Sequence, residues 1–236
     1  MASMRLDKLF TSCGIASRRE AKAFVKCGRI LVNGLPASSS EMKVDPDVDQ
    51  IFFDGEKINY KEYIYILMYK PNGVITATED TQQETVIDLL PKTYVNMGVF
   101  PVGRLDKDTT GLLILTNDGD YAHSVITPKK LVPKRYKASV DGMLDNTDVA
   151  AFEEGIVLAD GTKCMSAQLE IVRPSVGICT VYEGKYHQVK RMFASRGKHV
   201  TSLHRMSIGS LVLDDSMNPG DYKEMSLEEA QKAIDK

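Results

Sequence analysis

Apolar positions along the first sixty residues follow helical spacing and then strand spacing. Leu6, Leu9 and Phe10 place one amphipathic helix over residues 5–13, and Gly14 stops it. Ser17 is a good N-cap for a second helix over 18–27, with Ala21, Phe24 and Val25 on its inner face. Its other side carries Arg18, Arg19, Lys22 and Lys26, and Gly28 ends it. Arg29-Ile30-Leu31-Val32 then reads as a strand entering an Asn33-Gly34 turn, and Ile51–Phe53 as a second short strand before Asp54-Gly55. Residues 1–60 thus read as a small α+β module, followed by a polar joint around 56–63.

Residues 61–236 read as one larger α+β domain. Tyr63–Tyr69 alternates as a strand does, and Lys70-Pro71-Asn72-Gly73 turns the chain. Thr85–Leu90 reads as a short helix stopped by Pro91. Leu112–Leu115 is a continuous apolar run, hence a buried strand, ended by Asn117-Asp118-Gly119. Tyr136–Val140, Gln168–Val172 and Ile178–Tyr182 read as strands, and Asp148–Glu154 as a helix. Residues 186–196 form a further expected helix, with Val189, Met192 and Phe193 inward and Gly197 at its end. Ser226 and Glu229 have capping-box spacing and open a last helix. There is no internal repeat.

Composition is that of an ordinary globular protein, with 43% apolar and 26% charged residues. No apolar run approaches the roughly 18 residues of a membrane span, and no basic-then-apolar leader points to secretion. The expectation is a cytoplasmic protein with no membrane partner. Met1-Ala2-Ser3 precedes a second methionine, Met4, and reads as an added extension. Cys13, Cys27, Cys164 and Cys179 form no C-x-x-C pair and are expected to be reduced thiols. A zinc site from Cys179, His187, His199 and His204 matches no common ligand spacing, so no metal is expected.

Charge changes the picture through its distribution. The net charge of −2 argues against nucleic acid. Yet residues 5–29 hold Arg5, Lys8, Arg18, Arg19, Lys22, Lys26 and Arg29 against only Asp7 and Glu20. Residues 128–137 and 185–205 hold further basic clusters with no acid. These three stretches contain 18 of the 30 basic residues and 2 of the 32 acidic ones. Basic patches on an otherwise acidic body suit a phosphate backbone, although a lone charge run is usually a solvated face.

Three constellations carry candidate chemistry. Gly103-Arg104-Leu105-Asp106-Lys107-Asp108-Thr109-Thr110-Gly111 sits in a loop ahead of the buried strand, where functional groups gain a rigid brace. A charged turn whose aspartates cap backbone N–H groups explains the same residues. Asp106-x-Asp108-x-Thr110 also fits aspartate-phosphorylating phosphatases, but those need an apolar strand before the first aspartate, and here Gly103-Arg104 precedes it. A calcium loop fails because its twelfth position is Asn117. A glycosidase pair is disfavoured by the closeness of Asp106 and Asp108 in sequence. The second constellation, Lys134-Arg135-Tyr136-Lys137, places one aromatic among cations, which suits base stacking beside phosphate or equally a strand-edge tyrosine. The third is Gly184-Lys185-Tyr186-His187-Gln188-Val189-Lys190-Arg191-Met192-Phe193. Its polar groups lead into a helix, and Lys190 must face away from the core.

The three, in this order, resemble the RsuA-type pseudouridine synthases. The catalytic motif of that family matches Gly103-Arg104-Leu105-Asp106 through Thr109, Gly111 and Leu112. Its active-site tyrosine matches Tyr136, and its basic partner of the catalytic carboxylate matches Lys190, where many members carry arginine. Arg5-Leu6-Asp7-Lys8, Ser17–Ala21 and Gly28–Gly34 resemble an S4-type RNA-binding domain. The implied fold is α+β: an S4-like module and a catalytic domain on a mixed, mainly antiparallel sheet. Within the family, Tyr186–Phe193 and Pro219-Gly220-Asp221-Tyr222 look like the members acting on the small ribosomal subunit.

The resemblance implies isomerisation of one uridine in 16S ribosomal RNA, at uridine 516 in the usual bacterial numbering, with no cofactor. Asp106, Tyr136 and Lys190 become the catalytic candidates. Arg104, Arg5, Lys8, Arg18, Arg19, Lys22, Arg29, Lys134, Arg135, His187, Gln188 and Arg191 become the RNA-binding candidates, and Asp108 is expected to be structural. The expected partner is 16S RNA or a small-subunit assembly intermediate, bound by a monomer. A synthase acting on 23S RNA, an aspartate-dependent phosphatase and a non-catalytic assembly factor are the competing readings.

Overall fold

The computed structural model describes residues 3–235, so the reading of Met1 and Ala2 as an extension lies outside the described residues. The chain packs as two compact units, one of residues 1–64 with 90–99 and one of residues 65–89 with 100–236.

The first unit opens with β1 (Met4–Arg5), α1 (Leu6–Ser12) and α2 (Arg18–Lys26). Ser17 and Glu20 form a reciprocal capping box, so two otherwise orphaned N–H groups of α2 are satisfied. β2 (Ile30–Val32), β3 (Leu35–Pro36), β4 (Lys43–Val44), β5 (Ile51–Phe53) and β6 (Glu56–Lys57) follow. β3-β2-β5-β6 make one sheet and β1-β4 a second ladder. Asn33 and Gly34 both take positive φ, 53° and 82°, as a two-residue hairpin turn between twisted strands requires. Leu6, Leu9, Phe10, Ala21, Ile30, Val44 and Ile51 form the core, with Phe24 and Val25 packed against it. α3 (Lys92–Asn96) belongs to this unit, and Asn96 Nδ2 donates to the Gly14 carbonyl at 3.1 Å.

The second unit is built on one sheet. Its strands are β7 (Tyr65–Lys70), β8 (Phe100–Pro101), β9 (Thr109–Thr116), β10 (Lys134–Val140), β11 (Gln168–Arg173), β12 (Val176–Val181), β13 (Val200–Ile208), β14 (Leu211–Val212) and β15 (Tyr222–Met225). The order is β11-β12-β10-β13-β9-β7-β15, with β8 on β9 and β14 on β13. Every pairing is antiparallel except β13 with β9, where Arg205 lies opposite Gly111. Gly111 has φ 109°, and a Cβ there would fall 2.3 Å from the Arg205 carbonyl oxygen. Only glycine lets the two central strands approach this closely. Around the sheet lie α4 (Gly119–Ile126), α5 (Asn146–Glu154), α6 (Gln188–Ala194) and α7 (Leu227–Gln231). The mixed, mainly antiparallel sheet and the S4-like first unit agree with the expected α+β architecture.

Some local expectations change. Thr85–Leu90 is no helix: Asp88 captures the Thr85 N–H and hydroxyl, both at 2.8 Å, and Val86 N–H bonds across the chain to Ile75. Asn117-Asp118-Gly119 does more than end a strand, since the Asp118 carboxylate accepts from Tyr121 N–H and opens α4. Among the described residues no helix is long and apolar enough to cross a membrane.

Candidate functional site

Asp106 sits on the loop between β8 and β9, and that loop is anchored from beneath. Lys70, at the end of β7, is fully buried, and its ammonium donates to the carbonyls of Pro71, Lys107 and Thr109 at 2.9, 3.2 and 3.0 Å. The buried Thr76 hydroxyl donates to the Leu105 carbonyl at 2.7 Å and accepts from Leu105 N–H at 3.1 Å. Gly73 N–H also bonds the Lys107 carbonyl. Asp106 therefore projects from a backbone tied on both sides, the arrangement a preorganised carboxylate needs.

α6 and its leading turn supply the other wall. Lys190 Nζ lies 3.3 Å from Asp106 Oδ2 and 2.5 Å from Asp108 Oδ1. The lysine thus bridges both aspartates, and its hydrogen bond holds Asp108 below the ordinary carboxylate range. His187 Nε2 is 3.4 Å from Asp106 Oδ1. His187 takes φ 47°, an uncommon left-handed conformation for a side chain of this size. The turn is held by Glu183, which accepts from Met165 N–H and Gln188 Nε2 at 2.9 Å each and pairs with Lys185. Gln188 is buried and also accepts from Lys185 N–H. Arg191 pairs with Asp160 at 2.5 Å and donates to the Tyr186 carbonyl at 3.3 Å.

Tyr136 lies on β10, beside Arg205 of β13 in the sheet register. Its hydroxyl accepts from Arg205 Nη1 at 3.3 Å, and the guanidinium stands 5.9 Å from the ring centroid. Arg205 is 3% exposed and also donates through Nε to the Leu112 carbonyl at 2.7 Å. Lys134 donates to the Val132 carbonyl, and burial together with the Arg205 charge brings its pKa down to about 8. Burial brings Lys70 to about 8 as well, against the opposing pull of Asp108 and Asp106. Arg104 and Arg135 are exposed.

In the first unit Lys8, Arg18, Arg19 and Lys22 are exposed. Arg5 is paired with Asp7 and Glu41. Arg29 pairs with Asp54 and stacks over Phe24 and Phe53 at 4.5 and 4.8 Å, which fixes α2 to the β5–β6 turn.

The structure thus brings Asp106, Lys190 and His187 together, and sets Tyr136 against an arginine that periodicity did not single out. The sequence reading took Lys70 only as a turn residue and Arg205 only as one cation of the 185–205 basic cluster, not as site residues. Lys70 looked like the first residue of a turn, although a lysine ending a wholly apolar strand was a signal. Arg205 lies in Val200–Ile208, where mixed His, Arg, Ser and Thr hide the strand pattern.

Comparison with known proteins places the chain in a family. The RNA pseudouridylate synthase family matches residues 64–195, and the S4 domain family matches residues 4–49. An RNA pseudouridine synthase of Bacillus subtilis, YtzG, is 44% identical over 230 residues, 96% of each chain. Ribosomal small subunit pseudouridine synthase A of Vibrio parahaemolyticus is 38% identical, over 96% of this chain and 97% of that one. Ribosomal large subunit pseudouridine synthase B of Bacillus subtilis is 36% identical, over 97% of this chain and 94% of that one. A crystal structure of a pseudouridylate synthase superposes with a TM-score of 0.68 at 33% identity, covering 98% of this chain and all of that one. With its anchored Asp106 loop inside the matched segment, the chain belongs to the RNA pseudouridylate synthase family and carries an S4 domain ahead of the catalytic fold.

Proposed function

We propose that this isomerase converts one uridine of 16S ribosomal RNA to pseudouridine, at uridine 516, in the cytoplasm. The observation that carries the reading is the Asp106 carboxylate, fixed on a braced loop with Lys190 Nζ at 3.3 Å. The reaction breaks the N-glycosidic bond, turns the base and joins the sugar to a ring carbon. Product and substrate have the same atoms, so no co-substrate is consumed. Asp106, ionised beside Lys190, acts at the sugar as nucleophile or base. Tyr136 stacks on the flipped base, whose removal from its stack costs a few kcal/mol. Arg104 holds the flipped nucleotide or fills the gap it leaves. Lys134, Arg135, His187 and Arg191 border the RNA, the buried Gln188 braces the turn behind them, and the exposed cations of α2, with Lys8, grip phosphates without reading sequence. Arg5 and Arg29 serve that grip through the ion pairs that shape the module. The protein acts as a monomer on 16S RNA or a small-subunit assembly intermediate.

The small-subunit assignment draws on the relatives of that name and on the Tyr186–Phe193 run. The 36% identical large-subunit relative favours 23S RNA as the second reading. Pseudouridine maps of ribosomal RNA from cells with and without the protein decide between them. Loss of signal at 16S position 516 is expected, and loss confined to 23S overturns the assignment. Asp106→Asn should abolish product on the true substrate while RNA binding persists, and normal turnover by that variant removes Asp106 from the mechanism.

A further inference from the structure

Next to the candidate carboxylate stands an aromatic group that the proposed reaction leaves unused. Tyr186 is 75% exposed, yet it sits on a braced turn. Its carbonyl accepts from Arg191, and the turn around it is tied by the Lys185–Gln188 and Glu183–Gln188 hydrogen bonds. Its ring lies on the imidazole of His187, with centroids 3.8 Å apart and planes 18° off parallel. The same imidazole reaches Asp106 at 3.4 Å. One face of Tyr186 is therefore backed by a second ring, and the exposed remainder looks outward beside the catalytic loop.

A large aromatic in water, on a turn braced by its neighbours, contributes little to a core. Bases stack on such surfaces whatever their sequence, because every base has a π face. The ring order runs carboxylate, imidazole, phenol. The imidazole touches Asp106 through Nε2 and the phenol through its face, so a base lying on Tyr186 is beside the carboxylate and not on it. We propose that Tyr186, backed by His187, is a stacking subsite for an unpaired nucleobase adjoining the target uridine in the same RNA strand. This deepens the proposed function and rests on its placement of the target at Asp106. The base is recognised by its face, so purines bind more tightly than pyrimidines.

The test pairs variants with abasic substrates. Wild type, Tyr186→Ala and Tyr186→Phe are assayed by single-turnover and steady-state pseudouridine formation on a ribosomal RNA fragment. The fragment is the one the wild type modifies, whether from 16S or 23S RNA. It is synthesised with an abasic residue at each position flanking the target in turn. Tyr186→Ala should raise KM about tenfold with kcat within a factor of about two, and Tyr186→Phe should match the wild type. One abasic position should weaken wild-type binding by a similar factor and cost Tyr186→Ala nothing further. An unchanged KM in Tyr186→Ala, or abasic penalties equal in both proteins at every position, overturns the subsite. Asp106→Asn is run in parallel: if it turns over normally while Tyr186→Ala behaves as expected, the carboxylate assignment fails and the subsite stands.

Discussion

Arg205 donates to the Tyr136 hydroxyl at 3.3 Å, while its own Nη2 is buried with no hydrogen-bond partner among the described residues. Among the described residues no carboxylate pairs with it either; its bonds go to a phenol and to the Leu112 carbonyl. A buried cation without an anion is costly, and an apolar residue of similar size is often neutral or stabilising in its place. Retention of such a residue against stability points to function. Arg205→Met should therefore melt within about 3 °C of the wild type, or above it, while kcat falls about tenfold or more. A large drop in melting temperature with normal kcat makes Arg205 structural.

The same pair changes what Tyr136→Phe is expected to do. If the ring serves by stacking, phenylalanine keeps most of the activity. The lost hydroxyl, however, leaves Arg205 Nη1 without an acceptor in the interior. An unsatisfied buried donor costs about 1–3 kcal/mol. Thermal melts should show the loss, by several degrees, while kcat stays within about tenfold of the wild type. Complete loss of turnover assigns the hydroxyl a proton-transfer role instead.

Lys70 makes a prediction about alkaline pH. Burial lowers its pKa to about 8 from 10.5, so between these values the unfolded chain holds a proton that the folded one has released. Stability then rises with pH across that window, by roughly 3 kcal/mol for this group alone. Below about pH 8 both states are protonated, the cost of burying the ammonium is present in full, and stability does not change with pH through this group. Other buried groups oppose the trend, Cys13 among them, its thiol pushed up to about 11. The difference between wild type and Lys70→Met isolates the lysine. Denaturant unfolding at pH 7.5 and pH 10 should show the wild type gaining on the variant. A difference that does not change with pH means the ammonium persists on its three carbonyls.

How far the sequence foretold the site depended on whether the relevant signal was local. Asp106, Lys190 and Tyr136 lie in short dense runs of functional groups, so composition marked them before any contact was known. α2 and α7 were legible because their signals are local: an N-cap serine at Ser17 with helical spacing after it, and the Ser226–Glu229 capping box. Arg205 and Lys70 were not, because their meaning comes from burial, which depends on strands far away in sequence. β13 pairs with β10 on one side and β9 on the other, and its polar residues mask the alternation. α3 was hidden for a related reason: its packing partners lie in the N-terminal unit, about eighty residues upstream, as the Asn96–Gly14 bond shows. The failed helix at 85–90 shows a side-chain carboxylate outcompeting helical bonding, which propensity alone does not weigh.

Gly111 tests the central parallel pairing. Alanine there meets backbone on β13, not a side chain that could swing away, and it must also hold φ 109°. Both effects act in the same direction, so about 3 kcal/mol or more should be lost. Gly111→Ala should be poorly soluble or melt many degrees below the wild type. A folded variant with normal turnover means that β9 and β13 separate locally at little cost.

Asp148 offers a test of whether α6 needs its distal anchor. This carboxylate is fully buried, caps α5 through the Asp145 N–H at 3.1 Å, and receives Arg196 at 3.1 Å and Lys198 at 2.8 Å. Burial alone raises its pKa, but Lys198, the Asp145 N–H and Arg196 outweigh that and hold it low. Its stabilisation is therefore present above the unfolded pKa and lost as pH falls through the folded one. Arg196 and Lys198 directly follow α6, which carries Lys190. Asp148→Ala should cost about 3 kcal/mol, since it removes a cap and leaves two cations without their shared partner. Asp148→Asn should cost less, because its amide oxygen still caps. Both variants should lower kcat/KM at temperatures well below their melting points, because Lys190 then holds Asp106 less firmly. Melting curves and steady-state rates on one RNA fragment check this together. If Asp148→Ala melts low but keeps the wild-type kcat/KM while folded, the anchor serves stability alone and the upstream turn at Glu183 suffices to place Lys190.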